Sequence, residues 1–328
     1  MSVIKRMIAN QVLIRGVGAV KGTGRFGCPI CGTPNPLQWL AAPDRFHGRT
    51  KEYQLLRCAA CSIVWLDDPP SKIEMGIHYG ADYDRTISVA AQAPEHWSGR
   101  HSEVVRLLPE GGAVLDLGCG TGGFLSTLKG PSWKLYGLEM SEAAAEKART
   151  CSNAQVFVSD ILDAPFAPQS FDLITCFNVF EHLHEPKEVL LRLYNWLKPG
   201  GIFYALLPNI DSAGARIFGS YWYALELPRH LYHYSPASFR RIANSAGLRE
   251  VSLTTHHELF FEYSTRFLYD ALLKKLGVSR PTLAQSVDEA SLTWRVVRKV
   301  YRLTLLQLFS AAASLVGDGE TITAIFAK

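Results

Sequence analysis

The chain has 328 residues, a length that suggests about two domains at roughly 150 residues each and gives material for a large core. Its 48% apolar and 20% charged residues are ordinary for a soluble globular protein. A formal charge of +4 is small for this length, so it does not argue for nucleic acid or another polyanion as partner.

Residues 1–26 carry Lys5 and Arg6, then a mildly apolar stretch broken by Asn10, Gln11 and Arg15. No clean cleavage site follows, so this is read as a tail or short helix and not a signal peptide. Residues 27–70 are punctuated by Cys, Gly and Pro. Cys28-Pro29-Ile30-Cys31 and Cys58-Ala59-Ala60-Cys61 form two C-x-x-C knuckles with a strand-like run at 53–56 between them. Four thiolates at this spacing can close a tetrahedral Zn²⁺ site with no open position, and such a site is structural. Neither pair sits beside a βαβ pattern, which weighs against a redox role. Seven cysteines, an odd number with two close pairs, point to a reducing compartment and a cytoplasmic setting rather than a secreted disulfide framework. The other three, Cys119, Cys151 and Cys176, fall on loop, helix and strand patterns and read as packing residues. Asp67-Asp68-Pro69-Pro70 closes the segment. Residues 71–108 read as a polar helical linker or lid carrying Tyr79, Tyr83 and Trp97.

From residue 109 the pattern changes. The apolar runs 113–117, 134–138, 155–158, 171–177 and 202–207 read as buried strands. Residues 124–128, 141–150, 186–197 and 236–246 read as helices. The alternation predicts an α/β fold with a mostly parallel sheet covered on both faces. Lys198-Pro199-Gly200-Gly201 stops a helix and leads into a strand. Two further strands, 248–254 and 321–326, flank a helical insertion at 258–316, so the main domain runs over 109–257 and recovers its last strand from 317–328. No window offers the roughly 20 uninterrupted apolar residues that span a bilayer. The longest apolar candidate, 303–316, is broken by Gln307, Ser310 and Ser314.

Asp116-Leu117-Gly118-Cys119-Gly120-Thr121-Gly122 follows a predicted strand and opens a predicted helix, where glycines let a ligand approach the backbone. A lone G-x-G is weak evidence. Here Glu139 ends the next strand, placed to accept ribose hydroxyls. Asp160 ends the third, placed for an adenine amino group with Ile161 against the ring. These motifs, with Asn178-Val179-Phe180-Glu181-His182-Leu183 and the K-P-G-G turn, resemble the class I S-adenosylmethionine (SAM)-dependent methyltransferases over about 100–257 plus the last strand. The resemblance implies a Rossmann-like sheet of order 3-2-1-4-5-7-6. SAM would be held by Asp116, Gly118, Cys119, Gly120, Glu139, Met140, Asp160, Ile161 and Asn178. A dinucleotide dehydrogenase is the main rival, and the strand-four E-H-L and K-P-G-G favour the methyltransferase.

The knuckles and the tract Tyr53 onward resemble a bacterial subgroup with an N-terminal zinc ribbon, whose members often modify sugars or other secondary metabolites. The resemblance implies Zn²⁺ on Cys28, Cys31, Cys58 and Cys61, and a small or carrier-linked acceptor. O-methylation of a sugar or related hydroxyl is the first expectation. Sugar C-methylation, RNA methylation and a non-catalytic binding protein stay open as alternatives. The knuckles lack a dense basic cluster, and the strand-four segment lacks the N-P-P-[FY] signature of base-amine methylases.

A hydroxyl acceptor benefits from a general base. Glu181-His182 is one candidate. Quinone O-methyltransferases bind a divalent metal through E-x-x-E-H, but the first position here is Asn178, so a catalytic metal is not the favoured reading. The second candidate is Pro228-Arg229-His230-Leu231-Tyr232-His233-Tyr234-Ser235, expected as a loop over the cleft, with His230 as first base and His233 as second. Finally, Arg295, Arg298, Lys299 and Arg302 share one helical face. Two readings of 289–316 stand side by side: a solvated face on a helix that packs over the site or in a dimer, and peripheral contact with an anionic membrane.

Overall fold

The computed structural model describes residues 27–79, 94–258, 260–278 and 315–328, with 300, 308, 312 and 313 besides. The 1–26 tail, Tyr83, Arg295, Arg298, Lys299, Arg302 and most of 289–316 lie outside the described residues.

The N-terminal part forms strands β1 (Leu37–Pro43), β2 (Glu52–Arg57) and β3 (Val64–Leu66), paired antiparallel in that order. Short helix α1 (Lys72–Met75) begins at a capping box in which Ser71 and Glu74 satisfy each other's backbone N–H groups. Helix α2 (Pro94–Leu107) leads into the main sheet.

That sheet contains β4 (Gly112–Leu117), β5 (Trp133–Glu139), β6 (Gln155–Val158), β7 (Phe171–Phe177), β8 (Leu197–Pro208), β10 (Arg249–His256) and β11 (Thr321–Ala327). Its spatial order is β6-β5-β4-β7-β8-β11-β10. Numbered within the sheet this is 3-2-1-4-5-7-6, with β11 antiparallel to both neighbours. The order reverses between β4 and β7, and a crevice outside the carboxyl ends opens at such a switch point.

Local chemistry sets the helix ends. The Ser141 hydroxyl caps α3 (Glu142–Ser152) by accepting from the Ala144 N–H, and Asn153 ends it in the left-handed region at φ 56°. Pro186 starts α4 (Pro186–Trp196), whose Val189, Leu190, Leu193 and Trp196 bury one face. Helix α5 (Ala213–Phe218) and two 3-10 turns follow β8. Ser235 caps α6 (Pro236–Ser245), and α7 (Phe260–Lys275) opens the region after β10.

Three elements differ from expectation. Residues 124–128 form only a 3-10 turn at Leu125–Thr127. Gly122 and Gly130, both at positive φ, bracket it too closely for a helical nucleus. The K-P-G-G segment belongs to β8, which begins at Leu197 opposite Phe171; the register with β7 slips before Leu173. The expected loop over the cleft contains a short strand, β9 (Tyr232–His233), which pairs antiparallel with β3 and becomes the fourth strand of the N-terminal sheet. Cys28, Ile30, Cys58, Cys61, Ile63 and Trp65 therefore share one buried cluster with Phe180, Tyr234 and Phe239 of the main domain. Among the described residues no helix is long and apolar enough to cross a membrane.

Candidate functional site

The glycine loop leaves β4 with the Gly118 and Cys119 N–H groups both donating to the Leu138 carbonyl, at 2.8 and 3.2 Å. Gly118 has φ 62°, and a Cβ there would lie 2.5 Å from Val179 Cγ2. Gly120, at φ 52°, is different: a Cβ would meet nothing within 4 Å. Backbone at 120 therefore borders open space, as a ligand cradle requires.

Glu139 spans this loop. Its Oε2 accepts from the Gly120 N–H at 2.9 Å, and its Oε1 accepts from Met140 and Ser141 at 2.8 and 2.9 Å. Met140 itself is exposed. Asp160 caps the 3-10 turn Ile161–Asp163, with Oδ1 accepting from Leu162 at 2.9 Å. Its Oδ2 accepts from Lys72 Nζ at 2.9 Å, and Lys72 also meets Glu185 at 3.1 Å. Ile161 is buried beside it. Two carboxylates on adjacent strand ends, flanking a glycine bend with free space, fit an adenosyl group.

Asp116 lies at the end of β4, just ahead of the glycine loop. It is buried, and its Oδ1 accepts the Thr175 hydroxyl at 2.7 Å. Burial, opposed by that hydrogen bond, pushes its carboxyl up to about 7. Asp116 thus braces the end of β4 from behind the loop. Cys119 is buried there too, and burial raises its thiol. Asn178 turns the chain after β7 at φ 55°, with its N–H on the Leu206 carbonyl at 2.8 Å. Cys176 is buried as expected of a packing residue, whereas Cys151 is exposed, with Sγ 2.9 Å from the Thr121 carbonyl.

The four knuckle sulfurs converge. Cys28 and Cys61 Sγ are 3.5 Å apart, as are Cys31 and Cys58 Sγ. Sulfurs bound at 2.3 Å around a tetrahedral Zn²⁺ stand about 3.8 Å from one another. Backbone N–H groups of Ile30, Ala60 and Cys61 donate to Cys28 and Cys58 Sγ, the outer contacts a thiolate site uses. The residues fit structural zinc.

The remaining candidates assemble below β3. Glu181 and His182 lie in the 3-10 turn Phe180–His182 directly after β7. The Glu181 carbonyl accepts from the Leu231 N–H at 2.8 Å, and the Leu231 carbonyl accepts from Leu66 at 2.9 Å. This chain of bonds ties strand β7, the 228–235 segment and the N-terminal sheet together. His182 and His230 rings are 4.6 Å apart and nearly perpendicular. His182 Nδ1 meets the Arg229 carbonyl at 3.0 Å and the Tyr79 hydroxyl at 3.0 Å. His230 Nδ1 meets the Ala224 carbonyl at 2.9 Å. Glu226 pairs with Arg229 at 2.8 Å and approaches His230 Nε2 at 3.5 Å. His233 sits 6.1 Å from His230, centroid to centroid.

Burial governs the ionisation here. It pushes Glu181 up to about 8. It brings His182 down to about 3, helped by neighbouring His230, and His230 down to about 3 against its bond to Ala224. It holds His233 well below the usual imidazole range. The imidazoles are therefore neutral.

Sequence patterns missed several partners. Lys72 on Asp160 and Tyr79 on His182 join segments about ninety and a hundred residues apart, with no local signal. Glu226 and Arg229, three residues apart, carried a spacing signal that went unused. Phe46, under the Arg229 guanidinium at 4.7 Å, had none.

A seven-stranded sheet of this order, with a glycine bend and two acids at its switch point, defines the Rossmann-like α/β fold of the methyltransferase type. A family model described as a methyltransferase domain matches residues 89–253. The chain belongs to the class I SAM-dependent methyltransferase family. It is 31% identical over 156 residues to a ubiquinone biosynthesis O-methyltransferase of Thiobacillus denitrificans, covering 44% of this chain and 67% of that protein. It is 29% identical over 185 residues to one from Pseudomonas putida, covering 49% and 78%. Among solved structures, phosphoethanolamine N-methyltransferase 2 of Haemonchus contortus in complex with SAM aligns with a TM-score of 0.52 and 17% identity, covering 81% of this chain and 61% of that one. That likeness concerns the fold alone.

Proposed function

We propose that this chain methylates a hydroxyl oxygen of a small or carrier-linked metabolite, with a sugar-type hydroxyl as the acceptor class. The observation that carries this reading is the enclosed group of Glu181, His182, His230 and His233. It lies two residues beyond Val179, the side chain against Gly118 of the cofactor loop. Relatives named as O-methyltransferases support the oxygen, and the zinc-ribbon resemblance supports the sugar.

SAM supplies a methyl group on a sulfonium, so that an acceptor lone pair forms the new C–O bond as the C–S bond breaks and its electron pair returns to sulfur. The protein aligns and desolvates. Glu139, released from the Gly120 N–H, accepts the ribose hydroxyls, and Asp160 accepts the adenine amino group. The Gly118–Gly120 backbone, with Cys119, Met140, Ile161 and Asn178, borders the rest. His230, and next to it His233, takes the hydroxyl proton. Cys28, Cys31, Cys58 and Cys61 would hold a structural zinc ion beside β3, and β3 pairs with β9, which carries His233.

The test incubates the protein and methyl-labelled SAM with sugars, phenols and amines. Label in an ether on a sugar is the expected result; label on nitrogen or carbon removes the oxygen reading. His230→Ala is expected to lower turnover by about 10²–10⁴, with S-adenosylhomocysteine affinity unchanged. Full activity in that variant moves the base elsewhere.

A further inference from the structure

We propose that Glu226 and His230 form a two-point acceptor site, at which the pair receives two adjacent hydroxyl groups, as a vicinal diol presents them. The assignment deepens the hydroxyl-transfer reading and rests on it, since His230 is the base of that reading. It adds Glu226 as the residue that selects the acceptor.

Three observations carry it. First, two proton acceptors face each other. A carbonyl can only accept, so His230 Nδ1 carries the ring proton and donates it to the Ala224 carbonyl at 2.9 Å. Burial keeps the ring neutral, which leaves Nε2 without a proton. Nε2 nonetheless stands 3.5 Å from Glu226 Oε2. An imidazole lone pair and a carboxylate oxygen at that separation repel unless a hydrogen-bond donor comes between them. Second, the carboxylate is held in place. Its Oε1 pairs with Arg229 Nη2 at 2.8 Å, and the buried Arg229 guanidinium lies over the Phe46 ring at 4.7 Å. The backbone agrees. Glu226 has φ 38°, in the left-handed region, and its carbonyl accepts the Arg229 and His230 N–H groups at 2.9 and 3.2 Å. A glycine would make that turn with less strain, so the side chain, not the turn, accounts for a glutamate there. Third, Glu226 borders a cavity lined also by Arg45, Phe46, Tyr223 and Phe267. Aromatic walls with a few fixed polar groups are how a pocket orients a small ligand.

Adjacent hydroxyls answer the first observation. One donates its proton to His230 Nε2, and the other donates to Glu226 Oε2. On transfer, the first oxygen gives a lone pair to the methyl carbon, the C–S bond breaks with its electron pair going to sulfur, and the hydroxyl proton passes to Nε2. The second hydroxyl keeps its proton. The imidazolium so formed lies 3.5 Å from a carboxylate oxygen, which offsets its charge. An isolated hydroxyl fills only one of the two positions.

The experiment gives the full-length protein methyl-labelled SAM and two pairs of probes: methyl α-mannopyranoside with its counterpart lacking the hydroxyl at carbon three, and catechol with phenol. In each pair the diol is expected to show a kcat/KM higher by roughly 10- to 150-fold, the loss of one hydrogen bond to a charged group. Glu226→Ala should erase that preference, bringing the diol down to its partner, whereas His230→Ala should lose turnover on both members alike. Affinity for S-adenosylhomocysteine should stay unchanged in both variants. Should Glu226→Ala fail to fold with Arg229 left unpaired, Glu226→Gln and the wild-type ratio decide. A glutamine amide donates to Nε2 itself, so that variant should lose the preference as well. Equal efficiency within each pair in the wild type overturns the two-point site and leaves O-methylation standing, and so does a preference that persists in a folded Glu226 variant. No label on any of the four probes overturns the diol class; ethers formed on other hydroxyls would then keep the oxygen reading, and label confined to amines would remove both.

Discussion

The cofactor rim and the histidine–glutamate group meet at 178–182, yet they are built in opposite ways. At the rim, each carboxylate is satisfied chiefly by near neighbours: Glu139 by the backbone of 140, 141 and 120, Asp160 by the backbone of 162. Only Lys72 reaches in from afar. In the group below β3, four segments converge, the polar atoms are buried, and several have no partner. The difference teaches that the rim is a local device carried by strand ends, whereas the buried group, the proposed acceptor side, is assembled from segments that the N-terminal sheet ties together. A rim of this kind survives damage elsewhere; a buried group held by a two-residue strand does not.

The largest effect should come from the zinc knuckles. Cys58→Ser, or chelation, is expected to remove most of an apparent binding energy of about 10 kcal/mol that folds such a site. Melting of β1–β3 would release β9. Circular dichroism and turnover should both fall, while calorimetry still detects S-adenosylhomocysteine. Retained turnover in metal-free protein would break the comparison, because the acceptor side would then stand without its support.

Next in size is Glu139→Ala. Loss of charged hydrogen bonds to the ribose, about 1.5–3 kcal/mol, should weaken cofactor binding by roughly 10- to 150-fold. Unchanged calorimetric affinity would mean the ribose is gripped elsewhere.

The smallest effect concerns Asp116. Its carboxyl sits near 7 when folded against an ordinary 3.8, so the folded state holds that proton more tightly. The stability it contributes is full below about 3.8 and is lost as pH rises through 7. Asp116→Asn has no proton to lose there. Urea midpoints compared at about pH 5 and about pH 8 should therefore differ less in the variant than in the wild type. Equal pH slopes would show that Asp116 is not buried as an acid behind the loop.

Much of the rim was legible because its signals are short-range. Gly118 and Gly120 sit where a strand turns into open space, and Glu139 and Asp160 end consecutive apolar runs. Periodicity alone placed the parallel strands, since apolar runs of that length between capped helices have few other uses. The 124–128 helix failed because apolar spacing does not register two flanking glycines at positive φ. Likewise, 228–235 was read as a loop over the cleft because nothing near it announces that Val64 and Trp65 will pair with His233 and Tyr232.

By itself the sequence determined the alternating strands and helices, the glycine bend, its two acids and the four sulfurs, all of which depend on residues close in the chain or on spacing that local geometry constrains; the order of the strands came only through the resemblance to the methyltransferase family. Only the tertiary structure decided that β9 completes the N-terminal sheet, that Asp116 stands behind the loop, and that Glu181, His182 and His230 share one buried space. Those outcomes rest on long-range packing and on which polar groups lose water together, and burial of that kind is a property of the assembled core rather than of any segment.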